Sequence, residues 1–171
     1  LVELGHRNIG FLTFPESWRK SGNTAPVQCM RAHEQARQAF NITTAVREVP
    51  LSVEGMYEGF TEILNELPHV TGLVTSYSAT LGGAYRAAFD HGRKIPDDLS
   101  VVGIVGEANA SMMIPALTGF DSQNFERGYR AAKILLKSLQ SDHFVPEQVF
   151  LPFELAIRET TSRPPQGFVG A

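Results

Sequence analysis

The sequence has little cysteine and no long apolar run. Its single cysteine, Cys29, excludes an intramolecular disulfide and argues against a zinc site built on thiolates. No apolar run reaches the roughly 20 residues that a membrane span needs, and no charged-then-apolar leader pattern opens the sequence. These absences favour the reducing cytosol and no membrane partner, while a periplasmic location stays open on cysteine alone.

A strong charge of one sign is also missing. Lys and Arg number 15 and Asp and Glu number 18, which gives a net charge of -3 and argues against a strongly basic nucleic-acid-binding module within these residues. The 43% hydrophobic and 19% charged residues exclude a disordered or fibrous chain. The 171 residues suit one globular unit with a sizeable core.

Continuous apolar runs typical of buried strands alternate along the chain with the one-sided apolar spacing typical of helices. A loop is predicted over 15–24 and an irregular stretch over 108–117, and the rest of residues 8–158 reads as a series of strands and helices. Strict alternation predicts an α/β fold with a parallel, doubly wound sheet. The predicted strands are 8–14, 45–49, 71–75, 99–105, 118–121, 148–151 and 154–158, and the predicted helices are 26–39, 54–66, 79–90 and 123–140.

No catalytic pattern is present. Neither a G-x-S-x-G elbow nor a Walker A loop occurs, and Gly82-Gly83 lies inside a helical pattern, which favours close packing over phosphate binding. The five histidines are scattered, without a helical two-His metal spacing. We therefore expect no enzyme activity, no cofactor and no metal.

Ligands of open α/β sheets bind beyond the carboxyl ends of the strands. This rule selects residues 14–18, 51–53, 76–78 and 105–109. Trp18 and Tyr77 each follow a predicted strand closely, and an aromatic side chain there suits a flat, amphipathic ligand such as a sugar or a base. The alternative, that Trp18 covers the loop and Tyr77 packs beneath it, stays open.

Four segments carry a family resemblance. Residues 4–9 (LGHRNI) resemble L-G-H-R-x-I, and residues 95–103 (IPDDLSVVG) resemble V-P-[ED]-D-[LI]-S-V-[VI]-G. Residues 115–118 (PALT) resemble P-P-L-T, and residues 151–161 (LPFELAIRETT) resemble L-P-x-E-L-x-x-R-x-S-T. In this order, these segments are typical of the LacI/GalR transcriptional regulators, and the resemblance covers residues 1–161.

The resemblance implies an incomplete fold of the periplasmic binding protein type I, mostly its C-terminal subdomain. Residues 119–140 would cross into the N-terminal subdomain, and residues 162–171 would form a disordered tail. The implied protein is a cytoplasmic, ligand-responsive homodimer that binds a sugar or related metabolite. It would reach operator DNA through an upstream helix-turn-helix that this chain lacks. A periplasmic solute-binding protein of the same fold is the alternative.

Several positions depart from the family pattern. Cys29 and Ala32 stand where an Arg and a helical Gly often clamp the effector, Tyr77-Ser78 replaces Asn-Asp, and Val105-Gly106 replaces a pair of Asp. The effector is then less polar than a free sugar, or Trp18, Glu16, Ser17 and Glu107 supply the contacts instead. The full set of candidate ligand-binding residues is Phe14, Glu16, Ser17, Trp18, Leu51, Tyr77, Ser78, Val105, Glu107 and Ser122.

The predicted helix 79–90 has apolar or small residues around most of its circumference. A helix that covers a sheet needs only one apolar stripe, so the excess predicts a second buried face. The resemblance places this helix at a twofold subunit interface, with Leu81, Tyr85, Ala88 and Phe89 as the expected contacts. Burial by another part of the same chain is the alternative.

Overall fold

A computed structural model describes residues 1–105, 107–140 and 146–166. Six strands form one sheet, and helices connect them. The strands are β1 (Asn8–Thr13), β2 (Thr43–Glu48), β3 (Gly72–Thr75), β4 (Ser100–Val105), β5 (Thr118–Asp121) and β6 (Leu155–Ala156). The helices are α1 (Glu16–Lys20), α2 (Thr24–Phe40), α3 (Val53–Glu66), α4 (Gly82–Asp90), α5 (Glu107–Met112) and α6 (Asn124–Leu139).

The sheet has the order β2-β1-β3-β4-β5-β6. Strands β1 to β5 pair in parallel, and only the two-residue β6 runs antiparallel, against β5. The predicted α/β fold with a largely parallel, doubly wound sheet is confirmed. The short antiparallel edge strand departs from strict parallel pairing.

Local sequence signals set several helix ends. The side chain of Asn23 accepts a hydrogen bond from the backbone N–H of Ala25 and begins α2, and Ser52 does the same for Gly55 at the start of α3. Helix α2 ends at Asn41, whose φ of 49° lies in the left-handed region that Asn tolerates. These caps lie where the chain must leave one layer and enter another.

Helix α3 supplies much of the core. The sequence places an apolar stripe at helical spacing on one face, made of Met56, Phe60, Ile63, Leu64 and Leu67. The first four are buried against the sheet, and Leu67 is half-buried. Helix α4 packs closely on α3 because Gly83 has no side chain: a Cβ built there would overlap with the carbonyl group of Val53. Gly83 therefore serves contact within this chain, whereas Gly82 is exposed.

Four predictions of local structure need correction. The predicted loop 15–24 contains α1, the predicted irregular stretch contains α5, and residues 148–151 form no strand. The predicted disordered tail does not begin at Ser162, because its backbone N–H donates to the Ser100 hydroxyl and its own hydroxyl donates to the Pro96 carbonyl. The end of that tail, residues 167–171, lies outside the described residues.

Helix α6 differs from the other long helices because none of its residues is buried. Large apolar side chains of this helix and of the segment after it face solvent. They are Phe125, Tyr129, Leu135, Leu136 and Leu139 of α6 and Phe150, Phe153, Leu155 and Ile157 of the later segment. A surface of this kind is unusual for an isolated unit and marks a contact face.

His6 links the beginning of β1 to the last described segment. Its Nε2 lies 2.9 Å from the Ser162 carbonyl, which only accepts, so we assign the proton to Nε2. Its Nδ1 then accepts from the Thr71 hydroxyl at 2.9 Å. Burial of the imidazole lowers the pKa of His6, and burial also lowers the pKa of His33.

These two pKa shifts predict a loss of stability in acid. Both histidines are easier to protonate in the unfolded chain, where the ordinary pKa is about 6.5. Their contribution is present above that pH and is lost as the pH falls through the lowered pKa values of the folded state. We expect the free energy of unfolding, measured with urea, to be smaller at pH 5.5 than at pH 7.5. The difference between the two pH values should be smaller in His6→Gln than in the unchanged protein. An equal drop in His6→Gln would contradict the role of His6.

Candidate ligand-binding site

The order in which the chain adds strands to the sheet reverses between β1 and β3. These strands are neighbours, yet the chain leaves β1 toward β2 on one side and leaves β3 toward β4 on the other. In doubly wound folds the two connections diverge at the carboxyl ends of such strands, and the space between them is the expected ligand crevice. Ligands of doubly wound folds bind at such a switch point.

Three aromatic rings lie at this switch point. Phe14 directly follows β1, Trp18 lies in α1, and Tyr77 follows β3. The rings of Phe14 and Trp18 are stacked with centroids 5.5 Å apart and planes 10° apart. The ring of Phe14 is also 6.4 Å from that of Tyr77. We call these three residues the aromatic cluster, and it brings together three of the predicted ligand-binding residues.

Ion pairs hold α1 against the end of β2. Arg19 Nε donates to Glu48 Oε1 at 2.7 Å, and Arg19 Nη2 lies 3.2 Å from Glu16 Oε1. Hydrogen bonding to Glu48 raises the pKa of Arg19, and hydrogen bonding to Lys20 lowers the pKa of the Glu16 carboxyl. Sequence reasoning missed Arg19 and Glu48, because a pair 29 residues apart leaves no local pattern.

Two predicted ligand-binding residues are used inside the protein. Val105 is buried in the hydrophobic core, so it offers no surface to a ligand. Ser78 is buried as well, and its hydroxyl donates to the Ile104 carbonyl, which joins the end of β3 to β4. Both side chains serve packing between strands in this chain, so the structure gives no support to their assignment as ligand contacts.

The remaining candidates are dispersed. Ser17 is exposed on α1, and Leu51 is half-buried in the connection after β2. Ser122 lines a cavity of about 450 Å³ between α6 and residues 149–153, away from the aromatic cluster. The backbone of Glu107 lies in α5, but its side chain lies outside the described part of the structure.

The predicted interface residues of α4 differ strongly in exposure. Leu81 and Ala88 are buried in the core of the same chain, so neither can contact a partner. Tyr85 is half-buried, and its hydroxyl donates to the Pro115 carbonyl at 3.3 Å. Burial raises the pKa of Tyr85. Phe89 is 80% exposed and remains available as a contact.

Other kinds of site find no support in the described structure. Among the described residues, no group of three or more His, Cys, Asp and Glu side chains is placed to hold a metal ion. The described helices include none that is both long enough and apolar enough to span a membrane.

Known proteins resemble this chain over most of its length. Residues 1–161 match the family described as periplasmic binding protein-like domain. The chain is 30% identical over 144 residues to the HTH-type transcriptional repressor PurR of Edwardsiella ictaluri, with 82% of this chain and 41% of the relative covered. It spans about half or less of the length of the curated relatives it matches.

Solved structures show the same architecture. A LacI family transcriptional regulator from Enterococcus faecium, with bound ribose, is 25% identical with a TM-score of 0.82, over 96% of this chain and 60% of the other. A dimeric Lac repressor with an 11-residue C-terminal deletion is 26% identical with a TM-score of 0.83, over 96% of this chain and 59% of the other. The fold resemblance therefore includes the sheet that carries the aromatic cluster.

Proposed function

The chain belongs to the periplasmic binding protein-like domain family, in the form found in LacI/GalR regulators, and from this premise we propose that it is the effector-binding part of a ligand-responsive transcriptional regulator. The observation that carries the proposal is the aromatic cluster at the switch point between β1 and β3. An exposed aromatic surface at that place suits a small-molecule effector, a sugar or a related metabolite.

The regulator is better supported than the other functions that the fold can host. The relatives matched are named as transcriptional repressors and regulators, which favours this function over a periplasmic solute-binding protein. The same relatives support our proposal that the protein is not an enzyme. We further propose that it acts in the cytoplasm and that it contacts operator DNA through a helix-turn-helix outside this chain.

The exposure of α6 supports a second subdomain. Residues 119–140 would cross into that subdomain, where the apolar side chains of α6 and of residues 149–157 would be covered. Burial of this surface would give the crevice beyond β1 and β3 a second wall. An effector that contacts both subdomains stabilises the arrangement in which they are closed around it. It thereby changes the fraction of molecules that can bind DNA.

The exposed apolar side chains near α4 support a homodimer. Phe89, Met112 and Ile114 are 80%, 78% and 92% exposed. The hydrogen bond from Tyr85 to Pro115 joins α4 to the segment after α5, so both elements belong to one surface. We propose that a second copy of the chain covers this surface, which agrees with the dimeric state of the similar Lac repressor.

DNA retention tests the proposed function. The product of the complete gene that encodes this chain is mixed with fragments of the genome of its own organism, and retained fragments are sequenced. We expect a small set of fragments to be retained and their retention to change with effector. Retention without sequence preference would contradict the proposal.

The chain by itself is expected not to bind DNA specifically. Its net charge is -3, and duplex affinity depends on clustered Lys and Arg that neutralise phosphates. The measurement is a gel shift of residues 1–171 with the fragments retained above, at physiological salt. Nanomolar binding of a specific duplex by this chain would show that a DNA-reading surface lies within it.

A further inference from the structure

One ring of the aromatic cluster, that of Trp18, is exposed to solvent. Trp18 remains 40% exposed although one stacked neighbour, Phe14, lies against it. Phe14 also contacts Tyr77, so the ring of Trp18 is supported from both β1 and β3. An indole held in this way at a ligand crevice can accept a second flat ring by stacking.

The planar polar groups that flank Trp18 are already paired with one another. Arg19 donates to both Glu48 and Glu16, and Lys20 lies 3.0 Å from Glu16 Oε2. Sugar hydroxyls form hydrogen bonds with planar polar side chains. A site that leaves the polar groups of a ligand without hydrogen-bond partners binds that ligand weakly. The ion pairs of Glu16 are solvent-exposed, so a polar ligand that reaches them competes both with water and with the existing partners.

Two hydroxyl groups near the cluster are engaged within the chain, whereas the buried hydroxyls of Thr13 and Thr80 have no hydrogen-bond partner among the described residues. The Thr75 hydroxyl donates to the Tyr77 carbonyl at 2.8 Å, and the Ser78 hydroxyl donates to the Ile104 carbonyl. These bonds fix the loop that carries Tyr77. The most exposed ring of the aromatic cluster is that of Trp18, which offers its face to a ligand.

We propose that the effector of this site carries a planar aromatic or heteroaromatic ring and that this ring stacks on Trp18. The inference rests on the proposed effector-binding function and names the ligand class. It departs from the ribose that is bound in the similar Enterococcus faecium structure. A nucleobase and a simple aryl group share the required chemistry, because every such ring has a π face.

Matched pairs of compounds test the ligand class. The pairs are adenosine with ribose, phenyl β-glucoside with glucose, and benzoate with cyclohexanecarboxylate, each titrated calorimetrically into the product of the complete gene. We expect the aromatic member of at least one pair to bind about tenfold or more tightly than its partner. The pair that responds distinguishes a nucleobase from a simple aryl group.

Three variants test the role of Trp18. Trp18→Ala should weaken binding of the responding compound about tenfold or more, whereas Trp18→Phe keeps a stacking ring and should retain most of the affinity. Phe40→Ala is the matched control, because Phe40 is an exposed aromatic at the end of α2, before the amino end of β2. It should bind like the unchanged protein.

Three results would overturn the inference: no aromatic compound binds, the non-aromatic partners bind equally well or better, or Trp18→Ala binds unchanged. If a free sugar alone alters the retention of DNA fragments, the ring requirement falls while the proposed regulator stands. If a ring binds through Trp18 but no fragment is specifically retained, the ligand class stands and the regulator falls.

Discussion

Replacing Gly83 by alanine is expected to lower the free energy of unfolding by about 3 kcal/mol, near the upper end of the usual cost of overpacking. A Cβ at position 83 would overlap with the backbone carbonyl of Val53 in α3. The obstacle is backbone, which has no rotamer to change, so α4 must move away from α3. Urea unfolding followed by circular dichroism measures the loss.

Gly82→Ala is the matched control on the same helix. Nothing lies within 4 Å of a Cβ built at Gly82, and that residue is exposed. Alanine suits a helix better than glycine, so this variant should be unchanged or up to about 1 kcal/mol more stable. Equal effects at positions 82 and 83 would contradict the close approach of α4 to α3.

Phe89→Ala is expected to weaken dimerisation by about 2 kcal/mol, or about thirtyfold in the dissociation constant. Phe89 is 80% exposed in the single chain, and a partner that covers it would bury an aromatic anchor. Sedimentation of the product of the complete gene measures the constant. The folded chain itself should keep its stability, because this ring lies outside the core.

The control for the dimer is again Phe40→Ala. Phe40 is 54% exposed at the end of α2, and no proposed contact involves it. Its removal should leave the dissociation constant unchanged. A dimer that tolerates Phe89→Ala, or that loses as much affinity from Phe40→Ala, would show that the two copies meet elsewhere.

The main elements were predictable because their apolar patterns repeat locally. The stripe of α3 is such a case: Met56, Phe60, Ile63 and Leu64 are buried, and Leu67, the last residue of the predicted stripe, is half-buried. Helix α1 was missed because it is one short turn after Pro15, and its ion pair with Glu48 joins positions far apart in the chain. Contacts of that kind leave no periodic signal.

The site was predictable in part. The rule about carboxyl ends selected Phe14, Trp18 and Tyr77, and their rings meet as that rule requires. Val105 could have been excluded, because alternation along β4 puts it on the same face as the buried Val101. Ser78 could not, since its bond to the Ile104 carbonyl depends on how β3 and β4 pair.

The interface residues predicted on α4 are partly buried within the chain and partly exposed, for a similar reason. Apolar residues around most of the helix predict a second buried face, which stays a prediction, and they do not tell which neighbour covers each face. Helix α3 of the same chain covers the face that contains Gly83, and Leu81 and Ala88 are also buried in the core. Of the four residues, Phe89 is the one left largely exposed.

The affinity for effector, measured with and without operator DNA, tests the central claim most directly. The measurement is a calorimetric titration of effector into the product of the complete gene, because the chain by itself is expected not to bind DNA specifically. Linkage requires that DNA change the effector affinity by the factor by which effector changes DNA affinity, typically about 5- to 150-fold. The account predicts equal factors from both directions. An effector affinity that is identical with and without operator DNA would contradict it.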